Sequence, residues 1–214
     1  MKKLEIDIPL SSVILKGDLV IPENPIGIVI FSHGSGSSRF SSRNRMVAEL
    51  IQKHNIATFL FDLLTEKEDQ IYENRFNIDL LTSRLIETTE WLMEDKNTKG
   101  LPIGFFGAST GAASALRAAA YFGESAKAVV SRGGRPDMAI TELPMVTAPT
   151  LLIVGGLDVP VIGMNKMAFD ELQSVKEMKI IPGATHLFEE SGKLLEVADL
   201  AIAWYKRYLT KKDD

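Results

Sequence analysis

The chain has 214 residues, 45% apolar and 24% charged, with a net charge of -4, which is the make-up of one soluble globular domain long enough to bury a sizeable core. The acidic balance and the absence of any basic run beyond Lys206-Arg207 and Lys211-Lys212 argue against a nucleic-acid partner, and no apolar stretch approaches the about 18 residues needed to cross a bilayer. Zero cysteines remove disulfides, thiolate nucleophiles and cysteine-based metal sites, and His33, His54 and His186 stand too far apart in sequence to suggest zinc.

The N-terminal residues carry two lysines but no signal-peptide core, because Glu5 and Asp7 alternate with apolar positions as in a strand, so a cytoplasmic protein is expected. Residues 4–8 and 13–21 read as an antiparallel edge hairpin ending at Pro22. Residues 26–31 form a nearly continuous apolar run, suited to a strand buried on both faces. A helix over 44–54 follows, with Met46, Val47, Leu50 and Ile51 on one face.

The same alternation then repeats. Strand 57–61 closes at Asp62, a polar loop covers 66–74, and a long amphipathic helix spans 78–93. Strand 101–106 leads to an alanine-rich helix over 110–121 that stops at Gly123. Strands 127–130 and 150–154 are separated by a short helix, and helix 163–173, strand 178–181 and helix 194–209 complete the chain. Alternating strands and helices predict a single α/β domain over 1–214. Its architecture is a three-layer α/β/α sandwich around a mostly parallel sheet, with an antiparallel N-terminal edge hairpin and no large lid.

Gly107-Ala108-Ser109-Thr110-Gly111 fits G-x-S-x-G. The pattern is short enough to arise by chance, but its place between a buried strand and a small-residue helix is that of a nucleophile elbow. Such a turn strains the serine backbone so that its hydroxyl stands above the sheet. The flanking glycines remove Cβ atoms that would collide with the neighbouring strand and helix.

A serine hydroxyl needs an adjacent base. His54 ends a helix, where it caps or is solvated, and His33 shapes the turn after the first central strand. His186 follows the last strand, at the carboxyl edge that also carries Ser109. Asp158 follows the penultimate strand and supplies the acid, with Asp62 and Asp137 as fallbacks. Serine, aspartate, histidine is the chain order that this kind of elbow requires. The expected catalytic triad is Ser109, Asp158 and His186.

The loop His33-Gly34-Ser35-Gly36-Ser37-Ser38 lacks the lysine of a phosphate loop, and Arg39 stands where a dinucleotide fingerprint needs its third glycine. Its amides, that of Ser35 above all, are expected to pair with the Thr110 amide as an oxyanion hole. A second glycine-rich turn carries Arg132 and Arg135. These either hold a substrate carboxylate or phosphate, or pair with Asp137 and nearby acids to stabilise their own loop. The sequence does not resolve the roles of Glu66 and Glu68.

Those five stretches (33–39, 62–65, 107–111, 132–137 and 182–188) make the chain resemble the dienelactone-hydrolase-like branch of the α/β-hydrolases. The closest likeness is to the hydrolase domain found fused to phosphoribosyltransferases. The resemblance runs over nearly the whole chain and implies the same triad. It departs from true dienelactone hydrolases at position 109, where those carry a nucleophilic cysteine.

The function expected is a serine carboxylesterase acting on small or short-chain acyl esters, without metal or organic cofactor, nucleic acid or membrane. Alternatives are a thioesterase, lactonase or peptidase on the same residues, or a hydrolase-fold binding protein that does no chemistry.

Overall fold

The computed structural model describes residues 1–209; the expected basic pair Lys211-Lys212 lies outside them. Eight strands form one sheet in the order β1-β2-β4-β3-β5-β6-β7-β8. They are β1 (Lys2–Pro9), β2 (Ile14–Ile21), β3 (Ile28–Ser32), β4 (Ala57–Phe61), β5 (Ile103–Ala108), β6 (Ala126–Arg132), β7 (Thr150–Gly155) and β8 (Lys176–Ile181). β1 pairs with β2 and β2 with β4 in antiparallel fashion, and every other pairing is parallel. The expected edge hairpin and parallel body are both present.

Strands β3, β4, β5 and β7 are buried at every residue, as a sheet covered on both faces requires. Helices α1 (Ser42–Gln52) and α6 (Lys193–Tyr208) cover one face. There Val47, Ile51, Val197, Ala201 and Tyr205 pack on Val29, Phe31, Phe106 and Val130. Helices α3 (Ile78–Glu94), α4 (Gly111–Phe122) and α5 (Val159–Glu171) cover the other, over Ile30, Phe59, Phe105 and Val129. Among the described residues no helix is long and apolar enough to cross a membrane.

Three stretches differ from the sequence reading. The polar loop 66–74 contains a single turn of helix, α2 (Glu66–Asp69), and a 3-10 turn, Tyr72–Phe76. Thr65 and Glu68 cap α2 reciprocally, a T-x-x-E capping box that is legible in Thr65-Glu66-Lys67-Glu68. The short helix expected between β6 and β7 is two 3-10 turns, Pro136–Ala139 and Leu143–Met145, each with a proline in its first two positions. Helix α5 starts four residues earlier than expected, directly after Asp158, with Pro160 in its first turn, where a missing N–H costs nothing.

Candidate active site

β5 runs straight into the serine turn. Ser109 has φ +52°, the left-handed region that a side chain enters at a cost. The surroundings hold it there: its N–H donates to the Arg132 carbonyl (3.3 Å), and its own carbonyl accepts from Ala112 (3.0 Å) and Arg135 (3.0 Å). Compactness comes from the flanking glycines. A Cβ on Gly107 would lie 2.4 Å from Cα of Ala112, and one on Gly111 would lie 2.2 Å from the Ser32 carbonyl oxygen. Only glycine lets α4 press this closely on β3 and β5. Ser109 is also near the glycine turn after β3, since a Cβ on Gly34 would sit 3.0 Å from Cβ of Ser109 and 3.7 Å from its Oγ.

The Nδ1 atom of His186 stands 2.7 Å from Oδ2 of Asp158. A carboxylate only accepts, so Nδ1 carries the proton and Nε2 is left with a lone pair. Asp158 precedes α5 yet gives that helix no side-chain cap; its carboxylate is turned to the imidazole instead. The carboxylate side chain is 13% exposed and the imidazole 38%, so the pair opens to solvent on the histidine side. Segment Arg132-Gly133 lies between serine and histidine: the Arg132 carbonyl holds the Ser109 N–H, and a Cβ on Gly133 would meet the His186 carbonyl oxygen at 3.0 Å and its Cε1 at 3.6 Å.

Both fallback acids are engaged elsewhere. Asp62 accepts from the Arg39 amide (2.8 Å) and guanidinium (2.5 Å). Buried Arg39 also reaches Glu5 (3.0 Å) and Asp18 (3.6 Å), and so ties the edge hairpin to the glycine turn. The sequence shows Arg39 but not this tying role; Glu5 and Asp18 face each other across the β1–β2 register, and that like-charged pair is the signal for it. Asp137 takes both Nε (2.9 Å) and Nη2 (2.8 Å) of Arg135 in a fork. That hydrogen-bonded pairing, over the opposing effect of burial, raises the arginine pKa.

The two expected oxyanion donors sit side by side, and the amide of one of them, Ser35, is engaged by the other residue's side chain. The Ser35 N–H donates to Oγ1 of Thr110 (2.9 Å), because the Ser37-to-Gly34 turn (3.2 Å) lays the loop against the start of α4. The Ser35 N–H is therefore engaged within the protein in this state. Thr110 is buried at the N-terminal end of α4 with no side-chain cap bond to that helix, and its amide belongs to the positive pole there.

The remaining residues separate. His33 donates from Nδ1 to the Gly34 carbonyl (2.9 Å) and accepts the Leu63 N–H at Nε2 (3.1 Å), pinning the loops after β3 and β4 together. Burial lowers its pKa, against smaller raising effects from the Gly34 carbonyl and from Asp62 and Asp69. His54 bonds the Leu50 carbonyl (3.1 Å) as a helix-end residue. Glu68 accepts from Thr65 and from Arg84 at 2.8 Å. Burial pushes its carboxyl up, but those bonds together bring it below the ordinary value. Glu66 is exposed in the first turn of α2. Arg132 is buried at the end of β6.

Among the described residues no group of three or more histidine and carboxylate side chains is placed to hold a metal ion.

A parallel sheet of this strand order, a strained serine at the β5–α4 turn and an aspartate–histidine pair after β7 and β8 define an α/β-hydrolase. The chain belongs to the dienelactone hydrolase family, whose model matches residues 15–208. It is similar to the dienelactone hydrolase of Anabaena variabilis ATCC 29413, at 53% identity and a TM-score of 0.94 over 97% of this chain and 98% of that one. A structure of Est1E from Butyrivibrio proteoclasticus with ferulic acid bound aligns at a TM-score of 0.80 over 96% of this chain and 100% of that one, but at 16% identity it shares the fold alone. Curated relatives in two Mycobacterium tuberculosis strains, each named a putative phosphoribosyl transferase, are 51% identical over 96% of this chain. The chain spans 46% of their length.

Proposed function

We propose that the protein is a serine hydrolase that cleaves carboxylic esters of small acyl groups through an acyl-enzyme on Ser109. In this reading Nε2 of His186 removes the Ser109 proton as Oγ attacks the ester carbonyl, and Asp158 holds the imidazole in the correct tautomer and stabilises its cation. The Thr110 N–H donates to the oxyanion at the head of α4. The Ser35 amide is the second donor, once it exchanges Oγ1 of Thr110 for the substrate oxygen. His186 then returns its proton to the leaving alcohol and activates the water that releases the acid.

The observation that carries this reading is the 2.7 Å His186–Asp158 bond, at the sheet edge where the positive-φ turn places Ser109. Only two single-turn 3-10 segments stand between β6 and β7, which favours an open pocket and compact acyl groups. The 53% identical neighbour is named a dienelactone hydrolase, and a lactone is an internal ester open to the same attack. Lactones therefore belong in the substrate panel beside p-nitrophenyl esters.

A fluorophosphonate probe tests the nucleophile. Wild type is expected to be labelled and Ser109→Ala to be silent. No label on folded wild type contradicts the enzyme reading, and label surviving Ser109→Ala contradicts the choice of serine.

A further inference from the structure

Arg132 ends β6, and its side chain lies on the α1–α6 face of the sheet, which it shares with Val130 two residues earlier. It is 6% exposed. Its one hydrogen bond among the described residues is long, from Nη2 to Oδ1 of Asn44 at 3.4 Å; Nε and Nη1 are buried without a partner. A buried guanidinium ordinarily has a carboxylate beside it, because an uncompensated charge in the interior is costly. Here burial and then a second cation, Arg43, bring its pKa down to about 10.

Arg43 lies in the first turn of α1 beside Asn44. Its Nη1 holds Glu189 at 2.7 Å, and its Nε is buried without a partner. The helix end itself is electropositive. No acidic residue occupies the first turn of α1, and Ser41 caps the Asn44 amide, while the Arg45 amide reaches the Ser41 carbonyl. The Ser42 and Arg43 amides are the ones a helix start leaves without intrahelical partners. Arg132 thus meets Arg43 and a helix start with no carboxylate of its own among the described residues, since Glu189 is held by Nη1 of Arg43.

We propose that Arg132, Arg43 and the first turn of α1 bind a phosphate-class oxyanion. The unmet donors are Nε and Nη1 of Arg132, Nε of Arg43 and the two helix amides, more than the two oxygens of a carboxylate serve. A phosphate group, with three or four acceptor oxygens, supplies more acceptors than a carboxylate does. Its source is either free phosphate or the phosphoryl group of a larger ligand. The site does not depend on the proposed ester hydrolysis, although it adjoins it: Glu189 lies three residues beyond His186, and the Arg132 carbonyl holds the Ser109 amide.

Calorimetric titration of the full 214-residue chain with sodium phosphate tests this, against sodium chloride and sodium acetate at equal ionic strength in a buffer free of oxyanions. Saturable one-to-one uptake of phosphate is expected, with acetate at least tenfold weaker. Arg132→Met and Arg43→Met should each weaken phosphate binding at least tenfold. Glycerol 3-phosphate binding more tightly than inorganic phosphate assigns the site to a phosphoryl-bearing ligand, and equal or weaker binding assigns it to free phosphate. Without phosphate, Arg132→Met should melt no lower than wild type, since it removes an unpaired buried cation. If that variant does not fold, Arg132 is structural and the site is overturned unless Arg43→Met, at a side chain 31% exposed, loses phosphate by the same factor. Absence of saturable heat in wild type, equal binding of acetate, or unchanged phosphate affinity in both variants overturns the site outright.

Discussion

Asp158 heads α5 without capping it and lies 2.7 Å from Nδ1 of His186. An aspartate at a helix start ordinarily turns its carboxylate back to the first amides, a bond worth roughly 0.5–2 kcal/mol. That this one faces an imidazole means the local preference is overruled by the histidine loop.

Asp158→Asn is therefore expected to keep the fold and lose the reaction. An asparagine amide in that position donates towards Nδ1, which moves the ring proton to Nε2 and removes the base. The expected fall in kcat is about 10³–10⁴-fold at neutral pH, read with a p-nitrophenyl ester, with an unchanged circular dichroism spectrum. A loss of less than tenfold means that another group orients the ring.

Ser109 supplies a test of strain. With φ at +52°, Ser109→Gly relieves a conformation that costs a non-glycine residue of order 1 kcal/mol or more. Urea denaturation should show the inactive glycine variant more stable than wild type by about 1 kcal/mol. A variant less stable than wild type shows that hydrogen bonding by the hydroxyl outweighs the backbone strain.

The pH dependence of stability should carry the signature of His33. Its native pKa lies below the ordinary 6.5, so the folded state favours the neutral ring. Its contribution is complete above pH 6.5 and is lost as pH falls through the lower native value. Protonation turns Nε2 into a donor facing the Leu63 N–H, breaking the 3.1 Å bond. Comparing wild type with His33→Gln by denaturant titration from pH 7.5 to 4.5, the stability gap should narrow on acidification. A gap independent of pH excludes His33 as the group responsible.

Much of this was legible because chemistry and periodicity pointed the same way. The apolar runs at 26–31, 57–61, 101–106 and 150–154 read as buried strands and lie within one or two residues of β3, β4, β5 and β7, and the chain order of Ser109, Asp158 and His186 pointed to one edge. What stayed hidden depends on partners distant in sequence. Nothing local shows that Arg132 has no acid beside it while Arg135 takes the neighbouring Asp137, one of the two readings their turn allowed, or that the Ser35 amide ends on Oγ1 of Thr110. The short helix expected between β6 and β7 failed for a local reason: Pro136 and Pro144 start turns that too few following residues can extend.

Gly111 and Gly163 separate close approach from helix propensity. A Cβ on Gly111 meets the backbone oxygens of Ser32, the last residue of β3, and His33, the next residue, at 2.2 and 2.5 Å, so main chain rather than a movable side chain stands in its way. Gly111→Ala must lift α4 from β3, at about 3 kcal/mol or more, and it carries the serine turn with it. Gly163 lies inside α5 with nothing within 4 Å of its Cβ position, so Gly163→Ala should gain about 0.5–1 kcal/mol from reduced backbone entropy. Urea midpoints should therefore move in opposite directions, and probe labelling of Ser109 should fail only in the first variant. If Gly111→Ala is as stable and as readily labelled as wild type, the close packing of α4 on β3 does not hold the nucleophile in place.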